Sequence, residues 1–275
     1  MANHCFLIDC GEGTQFKFNQ YKLSKMKVSH IFITHLHGDH VFGLPGFLTS
    51  LILLSRIDPI TIIGPSGIKN MMDHIFEATH AKFNYEVNYI ETDPETNSVI
   101  LENEYLSVEN IPLHHKIPCN GYIFREKEKQ KNIHPHLVAQ HQLSGPQIME
   151  LKKGNQVETP FGILSPEDAL FTKNEPKSFA YCTDTSYLPS IVNIIQNVDL
   201  LYHEATYLDD FEIQAMERGH STATQAAKIA QQANAGRLLI GHPSSKYSST
   251  EELLKEARMI RPDAQFATEG ATFEL

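Results

Sequence analysis

The chain has 275 residues, of which 41% are hydrophobic and 20% are charged, and its formal net charge is −10. This composition is typical of a globular α/β protein, and the acidic charge argues against broad, non-specific binding of nucleic acids. The apolar runs are too short to cross a bilayer, the start resembles no secretory signal, and the four cysteines show no C-x-x-C spacing, so we expect a cytoplasmic protein with reduced thiols and no membrane partner.

The predicted elements mix strands and helices in both halves of the chain. In chain order, strands are predicted at 6–9, 28–34, 60–63, 86–90, 106–111, 178–182, 198–202, 237–240, 264–267 and 271–273. Helices are predicted over 47–56, from an N-cap at Ser66 to about Thr79, over 222–232 after an N-cap at Ser221, and from a capping box at Ser249. This mixture predicts one layered α/β domain spanning residues 1–275.

The segment from about residue 125 to 171 differs from the rest of the chain. It opens with the run R-E-K-E-K-Q-K, is polar, and is punctuated by Gly145-Pro146 and Gly154. A long segment without a regular pattern is uncommon inside a compact domain and is often functional, although a merely decorative insertion fits the composition equally well. We predict an insertion that protrudes from the domain.

The sequence H-L-H-G-D-H, from His35 to His40, is the strongest chemical signal in the chain. It directly follows a predicted buried strand, and Gly38 is expected to let the chain turn tightly there. Three imidazoles and a carboxylate suit zinc better than calcium or magnesium. One open catalytic ion does not need four ligands from one loop, so we predict two ions, with His35 and His37 facing one and Asp39 and His40 facing the other.

Further metal-type side chains follow other predicted strands. They are His114 or His115, between which the residues alone do not choose, Asp184 and His242. Asp184 is predicted to bridge two ions about 3.5–4 Å apart. Such a pair activates a water molecule as a nucleophile and stabilises anionic transition states, which favours the hydrolysis of phosphate esters.

Two further motifs supply a possible proton donor. The sequence H-E-A-T begins at His203 and contains Glu204, and the sequence G-H-S-T contains His220. A carboxylate that holds an imidazole is a common arrangement for a general acid. We interpret Glu204 and His220 as functional and His203 as a structural residue at the end of a strand.

Together with neighbouring motifs, these residues resemble ribonuclease Z, a family of tRNA 3′-processing endoribonucleases in the metallo-β-lactamase superfamily. The motifs are D-C-G-E-G-T-Q (9–15), T-H-L-H-G-D-H (34–40), P-L-H-H-K-I-P-C-N-G-Y (112–122), T-D-T (183–185), H-E-A-T-Y (203–207), G-H-S-T (219–222) and G-H-P-S-S-K-Y (241–247). The resemblance spans nearly the whole chain. It implies a four-layer αβ/βα sandwich, a homodimer, and removal of the 3′ trailer from precursor tRNA, leaving a tRNA 3′-hydroxyl and a trailer 5′-phosphate.

The resemblance also implies a role for each site residue. It selects His115 over His114 and implies two zinc ions per chain, which manganese or iron could replace. The two implied ligand sets share Asp184: His35, His37, His115 and Asp184 for one ion, and Asp39, His40, Asp184 and His242 for the other. Asp39 would also accept the proton of the attacking water, while Glu204 and His220 would help to protonate the leaving 3′ oxygen.

The family's flexible arm, which binds the tRNA elbow, corresponds to the segment at about 125–171. Gly145, Pro146, Lys152 and Lys153 resemble the arm's Gly-Pro and basic features and are predicted to bind substrate. Family members usually begin earlier, so we expect the family's N-terminal strand and loop to be missing before Met1. Two alternatives remain: a hydrolase of the same fold acting on a small phosphodiester, ester or lactone, and an RNA-binding relative weakened by the N-terminal loss.

Overall fold

The computed structural model describes residues 5–128, 131–172 and 175–275. It divides the chain into two compact units, one formed by Met1–Arg125 with Ser178–Leu275 and the other by Glu126–Lys177. The start of the chain, with the expectation about a missing N-terminal segment, lies outside the described residues. So do two residues of the basic run at 125–131.

The helices and strands have the following bounds. The strands are β1 (Cys5–Ile8), β2 (Val28–Phe32), β3 (Ile60–Pro65), β4 (Val87–Thr92), β5 (Val99–Glu102), β6 (Leu106–Leu113), β7 (Cys119–Glu126), β8 (Asn132–Ile133), β9 (Val157–Thr159), β10 (Gly162–Leu164), β11 (Leu170–Phe171), β12 (Ser178–Cys182), β13 (Leu200–Glu204), β14 (Arg237–Gly241) and β15 (Gln265–Phe266). The α-helices are α1 (Thr14–Gln20), α2 (Gly38–Val41), α3 (Leu44–Leu53), α4 (Ile68–Ala78), α5 (Pro135–Gln140), α6 (Gly145–Lys152), α7 (Pro166–Ala169), α8 (Glu212–Arg218), α9 (Ala223–Gln232) and α10 (Glu251–Arg258).

The first unit is built on two sheets. One has four strands in the order β1-β2-β3-β4, and all of its neighbouring strands are parallel. The other has seven strands in the order β15-β14-β13-β12-β7-β6-β5, in which β12 to β15 are parallel and β12 runs antiparallel to β7. The parallel strands end at one edge of each sheet, where the loops that follow them can supply a shared site.

Alternating side chains explain how these sheets form layers. On β2, Ile31 packs in a core shared with α1, α3 and α4, whereas the next residue, Phe32, faces the other way. The Phe32 ring lies 5.1 Å, between centroids, from both Tyr122 and Phe124 on β7 of the second sheet. The next residue of β7 after Tyr122, Ile123, packs on the far side, in a core that contains α9 and α10. The order helix–sheet–sheet–helix confirms the predicted four-layer αβ/βα sandwich.

The second unit has its own small core. Helices α5 to α7 and two two-stranded sheets, β8 with β11 and β9 with β10, enclose the buried side chains Leu143, Leu151, Val157, Leu164 and Ala169. The chain departs from the first unit after Arg125 and returns to it at Ser178, and these two residues are paired across β7 and β12. The interpretation of this segment as a tRNA-binding arm stays a prediction.

Several helix and strand boundaries differ from the sequence prediction, because backbone angles and local hydrogen bonds determine them. Helix α4 begins after Gly67, not Ser66, since Gly67 adopts the left-handed φ of 96° that glycine tolerates best. Helix α9 is capped by Thr222, whose hydroxyl accepts a hydrogen bond from the backbone N–H of Gln225, and not by Ser221. No strand forms at 271–273, where the backbone pairs with no neighbouring strand.

The predicted capping box at Ser249 is also wrong. The N-cap of α10 is Thr250, whose side chain makes no capping hydrogen bond, and the hydroxyl of Ser249 accepts one of 3.2 Å from the backbone N–H of Glu251. All four cysteines are free thiols, as expected from their spacing. Within the described parts of the chain, no helix has the length and apolar character needed to span a membrane.

Candidate metal centre

The predicted metal-type residues converge at the ends of strands in the first unit. The structure groups them in threes whose ligand atoms lie within 4.8 Å of one another. The groups containing the predicted ligands include His35, His37, Asp39, His40, His115, Asp184 and His242. His114 is exposed and belongs to none of these groups, which agrees with the choice of His115.

The carboxylate of Asp184 lies at the centre of this cluster. Its Oδ2 atom is 3.8 Å from Nε2 of His35, 3.6 Å from Nε2 of His40 and 3.8 Å from Nε2 of His115. Its Oδ1 atom is 3.4 Å from Nε2 of His242. Most of these separations are too long for hydrogen bonds but suit two ligand atoms that each bind one cation at about 2.0–2.2 Å.

Two subsets of histidines flank Asp184. On one side, Nε2 of His115 lies 3.2 Å from Nδ1 of His37, and His35 belongs to the same group. On the other side, Oδ2 of Asp39 lies 3.6 Å from Nε2 of His40 and 3.9 Å from Nε2 of His242. The side chain of Asp39 is 68% exposed, so this second subset opens to solvent.

One buried atom tests whether these residues fit a metal ion. Nε2 of His35 is buried and has no hydrogen-bond partner among the described residues, while Nδ1 of the same ring lies 3.0 Å from Oγ1 of Thr34. A buried ring nitrogen without a partner is costly unless a ligand occupies its lone pair. With imidazole and carboxylate donors around it, this atom fits a divalent cation such as zinc.

The protonation states suit the same role. Burial lowers the pKa of His35 to about 3, which leaves its ring neutral at physiological pH. Burial tends to raise the pKa of Asp184, but the nearby His242, His40 and His35 outweigh this and lower it. The neighbouring imidazole of His242, whose Nε2 atom lies 3.9 Å from Oδ2 of Asp39, holds the pKa of that carboxyl below its usual range. Burial tends to lower the pKa of His242, but Asp39 and Asp184 outweigh this and raise it to about 9, so a metal ion bound there would displace its proton. Two ionised carboxylates beside the neutral ring of His35 form an electrostatic environment that attracts cations.

Asp9 and Thr34 orient the ligand rings from behind. Asp9 ends the first strand in a left-handed conformation, with φ at 57°. Its Oδ2 atom accepts a hydrogen bond of 2.8 Å from Nδ1 of His40, and its Oδ1 atom accepts one of 2.8 Å from the N–H of Thr34. Such contacts fix the tautomer of a ligand and turn its other nitrogen towards the metal. The sequence reasoning assigned no role to Asp9, although an acidic residue directly after a buried strand was a usable signal.

His115 is oriented by a glycine. Its Nδ1 atom donates a 2.7 Å hydrogen bond to the carbonyl of Gly219, which leaves Nε2 facing Asp184. Gly219 has a left-handed φ of 74°, and a Cβ atom there would lie 2.9 Å from Nδ1 of His115. Only glycine fits this position without displacing the His115 ring.

Gly38 lets this loop fold tightly by close packing and not by an unusual backbone angle. Gly38 opens α2, and its φ does not lie in the left-handed region. A Cβ atom at Gly38 would lie 2.5 Å from the ring of Phe42, and one at Gly11 would lie 2.1 Å from the carbonyl oxygen of Asp39. Glycine is therefore needed at both positions for close packing. Gly38 packs against Phe42 in the same loop, and Gly11 packs against the backbone of Asp39.

Glu204 and His220 form a hydrogen-bonded pair beside this cluster. Oε1 of the buried Glu204 accepts hydrogen bonds from Nδ1 of His220 at 2.9 Å, from the N–H of Thr185 at 3.0 Å and from the N–H of Ser221 at 3.1 Å. Its Oε2 atom accepts two more from the N–H and hydroxyl of Thr206. The bond at Nδ1 leaves Nε2 of His220 available for another partner.

The predicted substrate-binding residues lie apart from one another, in the second unit. Gly145 and Pro146 begin α6, and Lys152 ends it, about 10 Å further along a helix of eight residues. Lys153 follows as the C-cap, and its Nζ atom is 2.7 Å from a carboxylate oxygen of Glu150. The structure therefore does not gather these four residues into one contact point.

The four-layer sandwich with a histidine and aspartate cluster at its strand ends defines a metal-dependent hydrolase of the metallo-β-lactamase fold. A family model described as "Beta-lactamase superfamily domain" matches residues 169–242, and one described as "Anti-Pycsar protein Apyc1" matches residues 1–116. The metallo-β-lactamase fold protein YhfI from Bacillus subtilis shares this fold, with a TM-score of 0.65 and 19% identity over 98% of this chain and 86% of its own.

Relatives of known family identify the family of hydrolases to which the chain belongs. The chain is 42% identical over 272 residues to ribonuclease Z of Parabacteroides distasonis, covering 98% of this chain and 89% of that protein. It is 40% identical over 276 residues to ribonuclease Z of Porphyromonas gingivalis, covering 100% and 91%. The crystal structure of the short form of human tRNase Z matches with a TM-score of 0.64 and 27% identity over 90% of this chain and 84% of its own. The chain belongs to the ribonuclease Z family.

Proposed function

We propose that this chain is an endoribonuclease that removes the 3′ trailer from precursor tRNA, leaving a tRNA 3′-hydroxyl and a trailer 5′-phosphate. The observation that carries the proposal is the convergence of Asp184, the surrounding histidines and the Glu204–His220 pair at one edge of the sandwich. The relatives named ribonuclease Z match this chain almost end to end, and they favour this substrate over a small ester.

The cofactors of the proposal are two zinc ions per chain, with manganese or iron as substitutes. His35, His37, His115 and Asp184 would hold one ion, and Asp39, His40, Asp184 and His242 would hold the other. When bound, two such cations would lower the pKa of the attacking water and stabilise the charge that develops on the phosphate.

The chain's own residues would move the protons. Asp39, whose pKa is lowered by the neighbouring His242, would accept the proton of the attacking water at a carboxylate oxygen. His220 would donate a proton from Nε2 to the leaving 3′ oxygen. Glu204, whose oxygens accept hydrogen bonds from several donors, would hold His220 at Nδ1 so that the other nitrogen faces the substrate.

The second unit, Glu126–Lys177, would be the tRNA-binding arm. A cavity of about 480 Å³ in this unit is lined by Lys131, Lys152 and Lys153 beside apolar side chains such as Leu170. The unit contains seven lysines and seven acidic residues, so its formal charge is zero while that of the whole chain is −10, and it would repel RNA phosphates less than the rest of the chain does.

We also propose that the chain is a homodimer located in the cytoplasm, where precursor tRNA would be met. Exposed apolar side chains support an interface: Phe16 on α1 is 68% exposed, Leu53 at the end of α3 is 86% exposed, and Ile57 just after it is 79% exposed. Analytical ultracentrifugation of the wild type and of Leu53→Glu tests this, since we expect a dimer that dissociates in the variant. A monomeric wild type would contradict it.

A metal analysis paired with two substrates tests the proposed function. We expect about two equivalents of zinc per chain and cleavage of precursor tRNA at the 3′ end of the mature sequence. Asp184→Ala should lose metal and all cleavage, because its carboxylate lies within 4 Å of four imidazoles. Hydrolysis of bis-p-nitrophenyl phosphate without cleavage of precursor tRNA would exclude the tRNA substrate, and RNA binding without cleavage would indicate a weakened relative.

A further inference from the structure

Lys246 lies among three aromatic rings on the loop that follows β14 and carries His242. Its Nζ atom is 3.0 Å from the ring centroid of Phe211 and 4.8 Å from the centroids of both Tyr207 and Tyr247. Aromatic faces attract a cation through their quadrupoles, so these rings hold the ammonium group in one place. The side chain is nevertheless exposed to solvent.

Among the residues that the structure describes, Lys246 pairs with no carboxylate, and its Nζ atom donates no hydrogen bond. Some other exposed lysines among the described residues are paired with acids, as Lys69 is with Asp73 and Lys153 with Glu150. An ammonium group held only by rings keeps its three N–H donors for an acceptor from outside the chain.

Of the three acidic residues next to Phe211 in the sequence, Asp209 and Glu212 are engaged elsewhere, and Asp210 forms no ion pair with Lys246 among the described residues. Oδ1 of Asp209 accepts a hydrogen bond of 2.6 Å from the hydroxyl of Thr222, and Oε1 of Glu212 accepts one of 2.9 Å from the amide of Gln225. Both carboxylates therefore serve the start of α9 and leave the positive charge of Lys246 unpaired.

The aromatic cage adjoins the candidate active site. The Tyr207 ring that contacts Lys246 lies 6.1 Å, between centroids, from the ring of His220. The loop that carries Lys246 is also held next to Tyr207, because the N–H of Ser244 donates a 3.0 Å hydrogen bond to the carbonyl of the preceding residue, Thr206. Only one aromatic ring separates Lys246 from the proposed proton donor.

We propose that Lys246 binds a backbone phosphate of the RNA that flanks the scissile phosphodiester, with Tyr207, Phe211 and Tyr247 holding its ammonium group in position. The inference rests on the proposed endoribonuclease function. A polynucleotide offers an anionic phosphate at every residue, and lysine binds phosphate as a point charge. A small phosphodiester has no flanking phosphate and would not use this contact.

The first test compares Lys246→Met with the wild-type protein on both substrates. We expect KM for precursor tRNA to rise about five- to tenfold with kcat little changed, as for one exposed charge-assisted contact. The salt dependence of RNA binding, as the slope of log K against log salt, should decrease by about 0.7 for one single-strand phosphate. The ratio of kcat/KM for precursor tRNA to that for bis-p-nitrophenyl phosphate should fall by the same five- to tenfold.

Lys69→Met is the matched control. Lys69 also lies over a tyrosine, with its Nζ atom 5.9 Å from the ring centroid of Tyr89, but it is paired with Asp73 and belongs to α4. Its loss should leave KM for precursor tRNA unchanged. A similar rise of KM in both variants would show that the loss of any one positive charge weakens RNA binding, and it would overturn the inference.

A second test locates the phosphate and does not require a variant to fold well. Precursor tRNAs would carry a neutral methylphosphonate at the first phosphate on either the 5′ or the 3′ side of the scissile bond. With the wild-type protein, one of the two modified RNAs should raise KM about as much as Lys246→Met raises it on unmodified RNA. When Lys246→Met acts on that same modified RNA, KM should rise no further, because both changes remove the same contact.

Independent effects of the variant and of both linkages, or no effect of either linkage in the wild type, would overturn the inference. In both cases cleavage of unmodified precursor tRNA by the wild type would leave the proposed function standing. Failure of the wild type to cleave precursor tRNA would instead contradict the proposed function.

Discussion

Individual side chains at this site are fixed by partners behind them as much as by the cavity they face. Asp9 accepts a hydrogen bond from Nδ1 of His40, the carbonyl of Gly219 accepts one from His115, and Glu204 accepts one from His220. In each case the partner holds one ring nitrogen and leaves the other for the site. Metal-binding histidines commonly require such support, and its loss weakens metal binding or activity without removing a ligand.

Glu204→Gln tests the proton-donating pair at this scale. The amide would present N–H groups to donors that now point at the carboxylate, so His220 would lose its orientation. We expect kcat for precursor tRNA to fall at least a hundredfold, as for loss of a general acid, with metal content retained.

The small ester provides the control for Glu204→Gln. Its p-nitrophenolate leaving group departs without protonation, so hydrolysis of bis-p-nitrophenyl phosphate should fall far less. Equal losses on both substrates, measured by steady-state kinetics, would show that Glu204 supports the metal centre and not the proton donor.

His203 yields a prediction about acid stability. It is fully buried, its Nδ1 atom donates to the carbonyl of Glu204, and burial lowers its pKa below the usual value of 6.5. Because the unfolded chain then binds a proton more readily than the folded one, stability is fully present above about pH 6.5 and is lost as the pH falls below it.

Chemical denaturation at several pH values, in the presence of a metal chelator, checks this. We expect the acid-side slope of the free energy of unfolding to be smaller in His203→Leu than in the wild type, by up to about 1.4 kcal/mol per pH unit. Parallel pH profiles for the two proteins would rule out this role for His203.

At the scale of elements, the site depends on how helices and strands end. Helix α8 ends at Arg218, and its left-handed C-cap Gly219 abuts His115; the N-cap of α9, Thr222, follows His220 by two residues. The short connection between the two helices therefore carries the proposed proton donor and supports a proposed ligand. A substitution that changes the end of α8 should therefore lower metal affinity.

Gly219→Ala tests this coupling. An alanine would strain the left-handed backbone by about 1 kcal/mol or more, and its Cβ atom would displace the ring of His115. We expect zinc affinity, measured by competition with a chelating dye, to fall about tenfold or more.

Gly154→Ala is the matched variant for this prediction. Gly154 is also left-handed, with φ at 92°, but a Cβ atom there would meet nothing within 4 Å. It should carry a similar backbone strain and leave zinc affinity intact. An equal loss of zinc in both variants would mean that general destabilisation, not the contact with His115, is responsible.

At the scale of the whole molecule, we propose that one compact unit performs catalysis and the other binds RNA. The first contains every proposed metal ligand, and the second has its own core and the lysine-lined cavity. Because Arg125 and Ser178 are paired across neighbouring antiparallel strands, a two-residue turn could join them.

Replacement of residues 126–177 by Asn-Gly should therefore separate catalysis from RNA binding. We expect the shortened chain to retain its zinc and its hydrolysis of bis-p-nitrophenyl phosphate, while KM for precursor tRNA rises at least tenfold through the loss of phosphate contacts. Circular dichroism would check folding, and unchanged KM for precursor tRNA would contradict an arm function for this unit.

The sequence by itself indicated the chemistry of this protein, because its proposed ligands are crowded into short motifs directly after apolar strands. The H-x-H-x-D-H loop, Asp184 and His242 were recognisable from spacing and residue type, and the mixture of predicted strands and helices indicated the layered α/β fold. The resemblance to ribonuclease Z rested on the same local motifs and was confirmed by the curated relatives.

Only the tertiary structure decided the features that join distant parts of the chain. The support of His40 by Asp9 and the contact of Gly219 with His115 connect residues 31 and 104 positions apart, and the ring cage around Lys246 spans up to 39 positions. No local pattern encodes these contacts. The start of α4 at Gly67 likewise depended on a backbone angle that composition does not reveal. Spacing along the chain predicts which groups can meet, but packing fixes which atom of each group faces its partner.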